Sequence, residues 1–192
     1  MRVNPGLIIG YHGCSKETAE HILSDTTKHL TPSNSKHEWL GKGVYCWESS
    51  YHRALEWAKQ HIKKGEEPAV LGIIITPGKC LDLTDSKHLD TLDIVAQAFH
   101  NECNSTGITP PANKDLRHDY DCALINYYHA YRKSFELPPI DTIRAAFAEG
   151  DHIAGGKCTF TRRQHIQWAI INPKNSIVGY FRPAEGFCSE NT

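Results

Sequence analysis

The chain has 192 residues, with 21 Lys plus Arg against 22 Asp plus Glu, a formal net charge of −1 and 40% hydrophobic residues. That length fits one compact domain, residues 1–192, and the composition excludes a disordered tail. The near-neutral balance excludes a strongly basic nucleic-acid coat, though not a local basic patch.

The apolar runs at 7–9 and 69–75 are too short for a signal-peptide core or a membrane span, so a soluble cytoplasmic protein without a membrane partner is expected. Seven cysteines, an odd number with no C-x-x-C pair, point to reduced thiols. Twelve histidines without H-E-x-x-H spacing give no metal site, and none is expected.

In chain order, residues 6–11 read as a buried strand that stops at His12-Gly13-Cys14, and Ser15 caps a helix carrying Ala19, Ile22 and Leu23. Residues 25–42 are a polar loop. Residues 44–47 read as a short strand, after which Ser49 or Ser50 caps a helix with Ala54, Leu55, Ala58 and Ile62 on one face. Residues 69–76, apolar on both faces, are a central strand, and Pro77-Gly78 turns the chain into a neighbouring strand at 79–83. Asp85 caps a helix carrying Leu89, Leu92, Val95, Ala96 and Phe99; residues 121–135 and 140–148 read as two more helices. The last strands are 165–171 and 176–182, separated by the turn sequence 172–175. This order gives an α+β class with a helical insertion at about 85–155.

Two glycine-flanked segments carry the candidate chemistry. Tyr11-His12-Gly13-Cys14 puts an imidazole at a strand end beside a glycine that admits a ligand to the backbone. Gly41-Lys42-Gly43-Val44-Tyr45-Cys46-Trp47 leads into a strand and presents an aromatic ring, but lacks the further glycine and Ser or Thr of a Walker motif. Taken singly, the plain readings are a structural histidine and a packing tyrosine.

Together these segments resemble the catalytic domain of ADP-ribosyltransferases of the diphtheria-toxin and poly(ADP-ribose) polymerase branch. The matching features are His12-Gly13-Cys14, the helix from Ser15, the loop to Leu40, the Gly41–Trp47 segment, and Ala54 with Trp57 on the next helix. The strands at 70–75 and 78–83 continue the match, as do 167–171 and 177–181, while the stretch between them is unmatched.

The resemblance implies a split antiparallel β-sheet core with flanking helices. It also implies NAD as substrate and a triad of His12, Tyr45 and Gln167, with Gln167 standing where the family has a glutamate. His12 would supply a donor to the adenosine ribose, Gly13 backbone groups to the carboxamide and Tyr45 a ring stacked on nicotinamide, with Trp57 as a second aromatic wall and Trp39 covering the cofactor. His165 is placed toward the acceptor as a base, and Arg162 and Arg163, with Lys157, flank it toward a phosphate backbone. Cys14, at a helix N-terminus, is read as a small buried residue in place of the family's Ser or Thr rather than as a nucleophile.

The implied function is mono-ADP-ribosylation of a macromolecule, RNA, DNA or protein, in the manner of small bacterial or phage toxins and defence proteins, whose partner is a neutralising antitoxin. The uncharged Gln167 keeps two alternatives open: a catalytically silent NAD or ADP-ribose-binding module, and an NAD glycohydrolase.

Overall fold

A computed structural model describes residues 6–35, 38–114 and 117–184. The elements in chain order are β1 (Ile8–Ser15), α1 (Lys16–Leu23), β2 (Val44–Glu48), α2 (Tyr51–His61), β3 (Pro68–Ile75) and β4 (Cys80–Asp82). There follow α3 (Ser86–Thr106), α4 (Asp119–Ser134), β5 (Thr142–Phe147), β6 (His165–Ile170), α5 (Pro173–Ser176) and β7 (Ile177–Phe181). The class is α+β, as expected. The strands form one seven-stranded sheet in the order β4-β5-β6-β2-β1-β3-β7. It is mixed rather than wholly antiparallel, because β4 and β5 run parallel.

Several local signals act as the sequence suggests. The Ser15 hydroxyl accepts the Thr18 N–H at the start of α1, and the Asp85 carboxylate accepts the Lys87 N–H at the start of α3. Gly107 ends α3 in the left-handed conformation at φ 68°. Helix α2 presents Ala54 and Ala58, both fully buried, to the sheet. These small side chains let the helix come close: a Cβ on Gly13 would collide with the Ala54 carbonyl.

Two expectations are corrected. Residues 140–148 are not a helix; β5 occupies their centre and pairs with β6 from Thr142–Ile170 to Phe147–His165. The two alanines and Arg144 favour a helix locally, but pairing on both sides with β4 and β6 overrides that weak preference. The insertion therefore contributes two helices and a sheet strand. Second, β3 and β4 are not neighbours, and β4 lies at the opposite edge from β7. The turn expected at residues 172–175 does separate the last two strands, as the helical turn Pro173–Ser176, and β7 then pairs with β3.

These connections require the sheet to fold on itself. Ile75 and Cys80 are joined by the residues 76–79 alone, a reach of at most about 18 Å, whereas five strand positions in a flat sheet span about 24 Å. The seam lies between β1 and β2. Those strands are in register only at Gly10–Glu48 and Tyr11–Trp47, while β1 pairs with β3 from Ile8–Ile75 to Ser15–Pro68.

Alternation along β2 and β6 sorts the side chains. Val44, Cys46, Trp168 and Ile170 join a core with Leu71, Ile73 and Ile75. Tyr45 and Ala169 face a second core beneath α3 and α4, with Ile125, Tyr128 and Ile143. Trp47 packs with Ala54 and Val70. Because the period is two, Tyr45, Trp47, Gln167 and His165 share one face, and a slip of one residue in either strand would turn that strand's pair away.

Candidate functional site

Where β1 and β2 part, the His12 ring closes the gap. Its Nδ1 lies 2.6 Å from the Tyr45 carbonyl oxygen. A carbonyl only accepts, so Nδ1 carries the proton and Nε2 is left as the ring's remaining polar atom, an acceptor. Desolvation lowers the His12 pKa against the opposing pull of the Tyr45 carbonyl, which favours this neutral form. A ligand hydroxyl at Nε2 would therefore donate, the reverse of the polarity expected from sequence.

Tyr45 is also engaged. Its hydroxyl donates to the Gly41 carbonyl at 2.6 Å and accepts the Leu40 N–H at 2.9 Å. Burial pushes the phenol pKa far up. The hydroxyl thus pins the loop end, and Tyr45 also packs against the core beneath α3 and α4. Gly41, at φ +71°, sits against Asn126 and Ile125 of α4, which explains a glycine there.

His12, Gly13, Tyr45 and Gln167 line one cavity of about 160 Å³, together with Trp47 and Trp57. Glu38, Trp47, Trp57 and Gln167 also line an adjoining cleft of about 770 Å³. The Trp47 indole N–H is buried without a hydrogen-bond partner among the described residues. Such a donor is costly unless a ligand or water satisfies it. The small cavity alone falls below the usual range for a drug-sized ligand, and the two spaces together reach it.

The other expected residues divide. Trp57 is at the cavity, 6.2 Å from the Trp47 ring and stacked on His61 at 4.6 Å. Trp39 is not in the cavity lining; it packs on His118 at 3.8 Å and Phe147 at 4.5 Å and borders the larger cleft. His165, Arg162 and Arg163 all line that cleft. His165 Nδ1 donates to the Arg163 carbonyl at 2.7 Å, and burial lowers its pKa, so its Nε2 is an unprotonated base near neutrality. Arg163 is held by Glu56 at 2.7 Å, whereas Arg162 has no carboxylate partner among the described residues. Lys157 lines neither space. The Cys14 thiol, pushed up to about 11 by burial, is not an activated nucleophile.

Sequence reasoning missed Trp47, Arg53, Glu149 and Glu38. Trp47 was findable, since it stands two residues from Tyr45 on the same strand face. Arg53, which holds Glu149 at 2.7 Å and lies 6.0 Å from the Trp47 ring centre, gave no signal of its own. Among the described residues no group of His, Cys, Asp and Glu is arranged to hold a metal ion, and no helix is long and apolar enough to cross a membrane.

No family model matches the chain. It is similar to an uncharacterized protein of Methanocaldococcus jannaschii, 28% identical over 146 residues, which cover 71% of this chain and 63% of that relative. The chain thus matches less than two thirds of the relative's length.

Proposed function

We propose that this chain is a mono-ADP-ribosyltransferase built on the split-sheet fold of that family, with NAD as donor. The observation that carries the reading is the convergence of His12, Gly13, Tyr45 and Gln167 on one cavity that shares Glu38, Trp47, Trp57 and Gln167 with a cleft lined by His165 and Arg162. These residues come from three separate stretches of the chain, and all four are positions that the family resemblance names. The sheet folded at the β1–β2 seam also supports it.

In this reading the nicotinamide ring stacks on Tyr45, with Trp57 beyond it, and a ribose hydroxyl donates to His12 Nε2. The bond between ribose C1′ and the nicotinamide nitrogen breaks, and its electron pair leaves with the now neutral nicotinamide. The Gln167 amide holds the 2′-hydroxyl of the ribosyl cation. An acceptor hydroxyl adds at C1′ from the larger cleft and gives its proton to His165 Nε2. Arg162 is the cation positioned to meet a phosphate of a nucleic-acid acceptor.

A calorimetric titration with NAD tests the assignment. Binding is expected, and His12→Ala and Tyr45→Ala should each weaken it by about tenfold, the scale of one lost hydrogen bond or stacking contact. An absence of binding, or variants that bind as wild type, would refute it. The neutral amide at Gln167 favours a second reading, an NAD-binding module without chemistry.

A further inference from the structure

We infer that Glu38 supplies the carboxylate that faces the reacting ribose, in place of the charge missing at Gln167. This rests on the transferase reading of the same cavity. Among the described residues that line the cavity with His12, Tyr45 and Gln167, Glu38 alone carries a negative charge.

Its position is built rather than incidental. Glu38 Oε1 accepts the Ser33 hydroxyl at 2.6 Å, and its carbonyl accepts the Gly41 N–H at 3.2 Å. Ser33 and Gly43 exchange backbone hydrogen bonds at 2.8 and 3.2 Å, closing the base of the loop. The Tyr45 hydroxyl fixes Leu40 and Gly41 beside it. The side chain of Glu38 is therefore held by Ser33, which is bridged to Gly43 just before β2, and its backbone by Gly41, whose carbonyl the Tyr45 hydroxyl holds.

Of the other carboxylates, Asp151 lines the adjoining cleft but not the cavity, and Glu56 and Glu149 are committed to arginines. Arg53 bridges Glu56 and Glu149, and Arg163 adds a second contact to Glu56. No Lys or Arg among the described residues pairs with Glu38. Half-buried and unneutralised, it acts on any positive charge that develops in the cavity, where the dielectric is lower than in water. Departure of nicotinamide leaves positive charge shared between ribose C1′ and its ring oxygen. A fixed carboxylate favours that state over the ground state, and the neutral Gln167 amide then needs only to hold the hydroxyl.

The test measures nicotinamide release and NAD affinity side by side. Glu38→Gln keeps the shape and an acceptor for Ser33 but removes the charge. It should lower release by about a hundredfold, the scale for losing one preorganised electrostatic group, and leave NAD affinity within about threefold. Adding Gln167→Glu to Glu38→Gln should recover at least about tenfold of the lost rate by returning a charge to the cavity. Ser33→Ala, which loosens the carboxylate without removing it, should give an intermediate loss of several-fold and stands in if Glu38→Gln does not fold.

An active wild type with Glu38→Gln or Ser33→Ala equally active would overturn the role of Glu38 alone. The same holds if Glu38→Gln loses affinity in proportion to rate. A wild type that binds NAD but releases no nicotinamide overturns the catalytic reading of the whole cavity, Glu38 included.

Discussion

His12 and Tyr45, 33 positions apart in the chain, are joined by a 2.6 Å bond from an imidazole N–H to a main-chain carbonyl. The bond spans the place where β1 and β2 stop pairing, so one side chain both closes the seam and sets which ring nitrogen faces a ligand. Its pH consequence follows from the lowered pKa of His12. NAD affinity should be flat above pH 7 and fall only below the usual histidine value of about 6.5, as protonation removes the acceptor at Nε2. Titrations across pH 5 to 8 check this; an affinity that rises on acidification would contradict it.

Tyr45→Phe keeps the ring and removes the hydroxyl. The Gly41 carbonyl and Leu40 N–H then lose their partner. A stability loss of about 1–3 kcal/mol is expected, with a melting point lower by roughly 2–4 °C per kcal/mol for a chain of this size. Faster hydrogen exchange at the Leu40 amide would localise the effect, and wild-type exchange there would argue against it.

Gln167 lies opposite Trp47 on β6 and faces the cavity. Gln167→Ala should lower nicotinamide release by about tenfold to a thousandfold with little change in NAD affinity. Gln167→Glu should retain or raise it. Steady-state kinetics with separate kcat and KM decide; unchanged kcat for Gln167→Ala would remove Gln167 from the site.

The candidate residues His12, Gly13, Tyr45 and Gln167 are named by the glycine-flanked motifs and the family resemblance they carry, while the pairing of β2 with β6 that puts Tyr45 and Gln167 on one face is a tertiary feature. The loop did not declare itself: Glu38 has no periodicity around it, and its place depends on the Ser33–Gly43 bridge and the Tyr45 hydroxyl, which are tertiary contacts. The same limit explains β5, whose alanines carry a helical preference that pairing overrides. Strand adjacency also escaped, because short connectors such as 76–79 suggest a hairpin unless the folded sheet is known.

Gly13 has a structural duty beside any ligand contact. Gly13→Ala would drive a methyl into the Ala54 carbonyl, and backbone is costly to move. A destabilisation of about 1–3 kcal/mol is expected from overpacking. Chemical denaturation measures it, and a neutral Gly13→Ala would show that α2 sits further from β1.

Three histidines, His12, His129 and His165, have pKa values lowered by burial. Each binds a proton more readily unfolded than folded, so their contribution holds above about pH 6.5 and is lost as pH falls from there through the folded values. The melting point should therefore drop between pH 7 and 5. A melting point that is constant or rising over that range would contradict the buried, neutral assignment.

The most direct measurement of the central claim uses NAD labelled in the adenylate phosphate, incubated with purified protein and with lysate. The account predicts free nicotinamide in step with label joined covalently to a macromolecule, and loss of both in His12→Ala and Tyr45→Ala. NAD recovered intact, or label found only as free ADP-ribose whatever acceptor is supplied, would contradict a transferase.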